Sequence, residues 1–181
     1  WEDGVMLSTD NVESPFGTDG FIEFEWGFNL KEDGVPEVAF KWFKRSAELG
    51  FEAAQFELAN AYRFGQGVEQ DSEEGAKRYR QLADRGNPDG QLFLGFCYAD
   101  GEGVDQDSEE AARLFRAAAE QGDATAKNCL ANCYARGDGV EQDLAEAVKL
   151  RRVAAEDGEE TAQYQLALTL LRGYGVEEDK D

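Results

Sequence analysis

The sequence has no histidine, and among its 181 residues it has only three cysteines, three prolines and one methionine. Without histidine, catalytic triads with an imidazole base and zinc sites with imidazole ligands are excluded. Cys97, Cys129 and Cys133 form no C-x-x-C pair. No apolar run approaches the roughly 18 residues that a membrane-spanning helix needs. We therefore expect no metal, no cofactor and no direct insertion into a membrane.

Nucleotide and calcium motifs are also missing. Gly-x-Gly recurs, but neither G-x-G-x-x-G nor G-x-x-x-x-G-K is present. The sequence from Asp105 begins like a calcium loop, but Glu110 stands where that loop needs glycine. Carboxylate pairs are too frequent in so acidic a chain to mark an acid–base site. We therefore expect that the chain is not an enzyme.

Positive charge is scarce, since 18 Lys and Arg face 39 Asp and Glu, for a formal net charge of −21. Phosphate backbones and anionic lipids repel such a surface, which argues against nucleic acid as a partner. Basic proteins or cations fit it better. Three free thiols mildly favour a reducing compartment. The chain begins at Trp1, so we interpret it as a processed or partial chain.

What the sequence does have is a repeat of 36 residues. Self-similarity at a fixed period of this size indicates stacked helical hairpins. We predict helices over about 36–49, 51–64, 87–100, 123–136 and 159–172, with glycines ending the second helix of each hairpin. A Gly-x-Gly-Val loop joins the two helices of a hairpin. Asp71, Asp107 and Asp143 are predicted to cap the helices that follow these loops.

The opening segment breaks this period. From Ile22 to Leu30, apolar and other residues alternate strictly, which favours an extended strand. Ile22, Trp26 and Leu30 would also share one face of a helix. We lean to the strand and treat residues 1–35 as an irregular arm or cap, either covering the first repeat or docking on a partner. Residues 36–181 then form an array of about four hairpins, the last one incomplete.

The repeat resembles the Sel1-like repeat family, a relative of the tetratricopeptide repeats. One copy matches the family pattern in order at Ala126, Leu130, Tyr134, Gly137, Gly139, Val140, Asp143, Ala147, Ala154, Ala155 and Gly158. The resemblance covers about residues 36–179. It implies an all-α fold, a right-handed α-solenoid of antiparallel helix hairpins. It also implies use as a scaffold or adaptor in protein complexes.

One face of the first helix in each hairpin is the candidate binding surface. Its residues follow a spacing of three and four, so they share a side of the helix opposite the predicted packed face. Two interpretations stay open: the stripe binds an extended segment of a partner, or it packs between neighbouring helices. The predicted partner-binding residues are Phe56, Asn60, Arg63, Phe64, Leu92, Phe96, Asn128, Asn132, Arg136 and Tyr164.

These patterns favour a non-catalytic scaffold that binds a partner through the inner face of the solenoid and through its ends. The partner would be a basic protein or an extended peptide segment. One alternative is a structural subunit fixed within a larger assembly, including an organellar one. Another is the regulatory domain of an enzyme whose catalytic part lies outside this chain.

The last hairpin generates a first prediction. Its first helix carries Leu166, Leu168, Leu170 and Leu171, and exposed apolar patches of this kind usually mark interfaces. We expect further repeats, a second copy or another subunit to cover this end. In the isolated 181-residue chain, an end without its cover should either self-associate in sedimentation over a concentration series or exchange hydrogen faster in 159–172 than in 123–136. A clean monomer, with hydrogen exchange in 159–172 as slow as in 123–136, would contradict this expectation.

Overall fold

A computed structural model of the chain describes residues 20–171, and within that range the fold contains nine α-helices and no strand. Short loops join them, and within residues 21–64 and within residues 88–171 each helix packs against the next one. The predicted all-α fold of helical hairpins is confirmed. The helices are α1 (Phe21–Glu32), α2 (Pro36–Glu48), α3 (Glu52–Phe64), α4 (Ser72–Ala83), α5 (Pro88–Asp100), α6 (Ser108–Glu120), α7 (Ala124–Arg136), α8 (Leu144–Glu156) and α9 (Glu160–Leu171).

The chain divides into two compact units, the first ending at Arg78 and the second beginning at Tyr79. In the first unit, α2 packs against both α1 and α3. Its buried core includes Trp42 and Leu58. In the second unit, each helix from α5 to α8 packs against the next one, and Phe115 and Leu130 lie in a shared hydrophobic core. Each unit therefore has an apolar core of its own.

Residues 21–32 are helical, so the extended strand that we favoured for the opening segment is wrong. The side chains in this segment pack in several directions around the helix. The Trp26 ring meets Trp42 edge to face with centroids 4.7 Å apart, and the Phe24 ring lies 5.0 Å from Phe51. A helix with apolar residues around most of its circumference shows no stripe of period 3.6. The alternation of apolar and other residues from Ile22 to Leu30 therefore resembled the pattern of a strand.

A short loop explains why the hairpin of α1 and α2 was not recognised in the sequence as a copy of the repeat. The loop between α1 and α2 has three residues, 33–35, whereas the later loops have seven, at 65–71, 101–107 and 137–143. The shorter loop lacks the Gly-x-Gly-Val sequence. It also places α1 closer to α2 in the sequence than the 36-residue spacing of the later copies would require. The part of the predicted arm from residue 20 onward is therefore mostly helix. Residues 1–19 of that arm lie outside the described residues.

The predicted aspartate caps are confirmed. The carboxylates of Asp71 and Asp143 accept the backbone N–H of the residue three positions on at 2.9 Å, and Asp107 does the same at 3.0 Å. An aspartate in this position satisfies an N–H group that the helix leaves unpaired and complements the positive end of the helix dipole. Each cap thus fixes where the second helix of its hairpin begins.

The second glycine of the Gly-x-Gly loops has a steric role. Gly139 has φ +69°, and a Cβ atom there would collide with the Ser108 carbonyl at the start of α6. Gly67, with φ +74°, has the same relation to the Pro36 carbonyl at the start of α2. Each of these two loops therefore lies directly on the first turn of the second helix of the preceding hairpin. Only glycine permits so close an approach.

Replacing Gly139 should test this contact. Gly139→Ala should lower the free energy of unfolding by about 1–2 kcal/mol through left-handed strain and by roughly 1–3 kcal/mol more through overpacking. Gly122→Ala is the matched control, because Gly122 has φ +102° but a methyl group added there would have nothing within 4 Å. Urea denaturation of both variants measures the difference. Equal losses would show that the Gly139 contact is unimportant.

Candidate protein-binding groove

A groove of about 400 Å³ opens in the second unit where α5, α6 and α7 meet. We call it the α5–α7 groove. Its lining combines buried apolar side chains with exposed charged ones, a composition typical of surfaces that recognise other proteins. The lining residues are Phe96, Ala99, Asp100, Gln106, Ser108, Ala111, Phe115, Cys129, Asn132, Cys133, Arg136 and Asp138.

Three of the ten predicted binding residues line this groove: Phe96, Asn132 and Arg136. Phe96 and Asn132 are half-buried, and Arg136 is exposed. Two others in the same unit are buried: Leu92 belongs to the hydrophobic core, and Asn128 is only 5% exposed. The first set is available to a partner, while the second contributes to packing.

The remaining predicted residues lie elsewhere. Tyr164 on α9 is 67% exposed. In the first unit, the Arg63 guanidinium is buried and lies over the ring of Phe64, 5.0 Å from its centroid, and Phe64 is itself exposed. Phe56 and Asn60 are half-buried. The assignment of all ten residues to partner binding stays a prediction.

Helix geometry explains how the groove is assembled. Asn132 and Arg136 are four residues apart on α7, so they project from the same side one turn apart. Across the groove, the Phe96 ring on α5 packs edge to face against Phe115 on α6, with centroids 5.4 Å apart, and against Phe93 at 5.9 Å. These contacts hold Phe96 rigidly, so the ring both supports the core and forms part of the groove wall.

Asn132 also belongs to a hydrogen-bond network with a residue that sequence reasoning missed. The Arg151 guanidinium on α8 donates to Asn132 Oδ1 at 2.8 Å through Nη2 and to Thr169 Oγ1 at 3.2 Å through Nη1. Arg151 is only 7% exposed. The signal that could have found it is the repeat itself. The equivalent positions in the two preceding copies of the repeat hold aromatic residues, Phe115 and Tyr79.

Both cysteine thiols that line the groove have raised pKa values. Burial raises the pKa of the Cys129 thiol from its ordinary value of 9.0 to about 12. Burial, and then the negative charge of Asp138, raise the pKa of Cys133. Both thiols therefore stay protonated at neutral pH and are poor nucleophiles and metal ligands.

Metal sites and membrane spans are both missing from the described part of the chain. Between residues 20 and 171, no group of three or more Cys, Asp or Glu side chains is placed to hold a metal ion. Over the same range, none of the helices is both long enough and apolar enough to cross a bilayer.

Comparison with protein families identifies the repeat. The Sel1 repeat model matches residues 20–51, 52–87, 88–123, 126–159 and 161–181. The chain belongs to the Sel1 repeat family. The first match begins inside the segment that we had set apart as an arm or cap, so α1 and α2 form a Sel1 repeat despite their short loop. No match was found among functionally curated proteins.

Solved Sel1 repeat structures resemble the chain. The crystal structure of a Sel1 repeat protein from Oxalobacter formigenes shares 32% sequence identity with a TM-score of 0.82, covering 90% of this chain and 68% of that one. The c5321 protein, a protective antigen of uropathogenic Escherichia coli with an SLR fold, shares 35% identity with a TM-score of 0.78. That match covers 87% of this chain but only 34% of c5321. These neighbours support the assignment to the α-solenoid class.

A more distant neighbour shows the fold alone. Cysteine rich protein B from Helicobacter pylori shares 22% identity with a TM-score of 0.51, covering 60% of this chain and 84% of that one. The three cysteines of this Sel1 repeat chain are all free in the described structure. Its hairpins are therefore held together by packing and hydrogen bonds.

Proposed function

We propose that this Sel1 repeat chain is a non-catalytic scaffold or adaptor that receives a segment of a partner protein in the α5–α7 groove. Sel1 repeat proteins generally serve as protein-interaction scaffolds. The observation that carries the proposal is that Phe96, Asn132 and Arg136 open into one groove. Aromatic and arginine side chains contribute most of the binding energy at many protein interfaces.

The groove suits an extended segment. The Phe96 ring would bury apolar side chains, Asn132 would hydrogen-bond a peptide backbone, and Arg136 would pair with an acidic group. The net charge of −21 favours a partner that is basic elsewhere on its surface. The same charge disfavours nucleic acid. A fixed structural subunit and an enzyme's regulatory domain remain the alternative functions, and no observation favours either one.

Blocking the groove should abolish binding without unfolding the protein. Ala99 is half-buried in the groove lining, so Ala99→Trp would fill the space while removing no existing contact. Peptides selected on the wild-type chain from a random displayed library should bind Ala99→Trp at least about tenfold more weakly, a loss of about 1.4 kcal/mol. Fluorescence anisotropy with a labelled selected peptide measures the affinity.

Ala145→Trp is the control, because Ala145 is exposed on α8 and lies outside the groove lining. It adds the same side chain to the same unit and should change the affinity less than about twofold. Circular dichroism should show that both variants keep the helical fold. If Ala99→Trp binds as tightly as the wild type, the groove is not the binding site.

A further inference from the structure

The hydrogen bond from Arg151 determines how the side-chain amide of Asn132 is oriented. Arg151 Nη2 donates to Asn132 Oδ1 at 2.8 Å. A guanidinium group carries only N–H donors, so the amide atom that bonds to it must be the oxygen. The NH2 group of Asn132 leaves the same carbon atom in a different direction. It therefore points away from Arg151.

Arg151 is itself held in one orientation. It is only 7% exposed, and its Nη1 atom donates to Thr169 Oγ1 at 3.2 Å. The Thr169 hydroxyl in turn donates to the backbone carbonyl of Gln165 at 2.7 Å, so Thr169 can only accept from Arg151. Every hydrogen bond from Asn132 to Gln165 thus has a fixed direction. Turning the Asn132 amide over would place two donors face to face, which is costly at a buried group.

This orientation directs the NH2 group of Asn132 toward the α5–α7 groove. Asn132 lines the groove, whereas Arg151 on α8 and Thr169 on α9 do not. The groove lies on the side of α7 that faces α5, and Arg151 bonds toward α9. Within residues 20–171, no acceptor bonds to Asn132 Nδ2, and that atom is not one of the buried polar atoms without a partner. A ligand in the groove can therefore accept from it.

The preceding hairpin shows that Asn132 and Arg151 belong together. The positions 36 residues earlier hold Phe96 and Phe115, whose rings pack edge to face with centroids 5.4 Å apart. In the hairpin of α7 and α8, both rings are exchanged for polar residues, and these bond to each other. Since rings fill the same positions one hairpin earlier, packing alone does not require a polar pair here. The polar pair provides an oriented donor, which two rings cannot.

We infer that Arg151 is a positioning residue, which orients Asn132 as a hydrogen-bond donor to a backbone carbonyl oxygen of the bound segment. This rests on the proposed function of the groove and names the chemistry by which Asn132 binds the ligand. Every residue of an extended segment carries such a carbonyl. A neutral carbonyl suits this donor better than a carboxylate, because an uncharged amide cannot offset repulsion by Asp100 and Asp138 in the groove lining.

Asn132→Asp separates the donor from the contact with Arg151. The aspartate keeps an oxygen for Arg151 but replaces the NH2 group by a second oxygen, which cannot donate. A neutral peptide, selected on the wild-type chain from a random displayed library, should bind this variant about tenfold or more weakly, because its carbonyl loses a partner. Fluorescence anisotropy measures the affinity. The thermal midpoint should not fall, since a charged acceptor strengthens the bond from Arg151.

Ala145→Asp is the charge control. It adds the same negative charge at an exposed position on α8 outside the groove lining. It should change the affinity for the peptide less than about twofold.

A backbone ester scan of the selected peptide identifies the acceptor. An ester weakens the carbonyl oxygen of its own group as an acceptor. At one position, the ester should weaken binding to the wild type about fivefold or more and binding to Asn132→Asp less than about twofold, because the two changes remove the same hydrogen bond. Replacing the side chain at that position by alanine should have the smaller effect.

Variants of Arg151 test its positioning role. Arg151→Met fills the space but cannot donate, so the Asn132 amide is free to turn over and the ester effect should fall below about twofold. Arg151→Lys keeps a donor and should restore most of the ester effect. The exposed neighbour Arg152→Gln should leave it unchanged. Asn132→Asp decides the test if Arg151→Met fails to fold.

Failure of this inference is distinguishable from failure of the proposed function. If selected peptides lose affinity for Ala99→Trp but bind Asn132→Asp as tightly as the wild type, the groove binds peptides and the inference is wrong. An unchanged ester effect in Arg151→Met, or an acceptor that proves to be a side-chain oxygen of the peptide, would also overturn it. If no peptide is selected, or none is sensitive to Ala99→Trp, the proposed groove function fails, and this inference fails with it.

Discussion

Close packing of a ring on the second helix of a hairpin against a small residue on the first helix sets the geometry of this protein. A Cβ atom at Gly27 would lie 2.8 Å from the Phe43 ring, and one at Gly95 would lie 2.6 Å from the Phe115 ring. Both distances are too short for a real contact, so the missing side chains let the helices approach. The α5–α7 groove depends on this close approach of the helices, because the Phe115 ring also packs against Phe96, which lines the groove.

In the hairpin formed by α7 and α8, the position of this ring on the second helix holds a polar residue instead. There the ring is replaced by Arg151, which hydrogen-bonds to Asn132 at the edge of the α5–α7 groove. A packing position has thus become part of a polar network. Since α7 is a regular helix supported by the core and Asn132 accepts a hydrogen bond from Arg151, the Asn132 side chain is held in place before any partner binds. Such pre-organisation reduces the entropy lost on binding.

Much of the fold could be predicted from the sequence because local signals agreed with the period. The aspartate caps, the helix-ending glycines and the 36-residue spacing all placed the helices from Pro36 onward within a few residues. Two features of the fold were not predicted. The first helix was hidden by a short loop and by apolar residues around its circumference. The second is Gly90, which stands where the next copy has Ala126: a Cβ atom there would lie 2.7 Å from the backbone nitrogen of Ala83.

The candidate site was predictable only in part. Same-face spacing, a local property of helices, selected Phe96, Asn132 and Arg136, and these three residues line the α5–α7 groove. The same spacing also selected Leu92 and Asn128, which neighbouring helices bury, and burial depends on packing that spacing alone does not reveal. Arg151 lies on another helix, and its link to Asn132 is a tertiary contact. Only a comparison across repeats, which shows an arginine in place of a ring, points to it.

The central claim is that the α5–α7 groove binds a partner segment, and nuclear magnetic resonance tests it most directly. The isotope-labelled 181-residue chain would be titrated with a peptide selected on the wild-type protein. The claim predicts that the largest shift changes fall on the amides of α5 and α7 that flank the groove and on the side-chain amide of Asn132. Changes confined to α9 or to the first unit, with Asn132 unaffected, would contradict it.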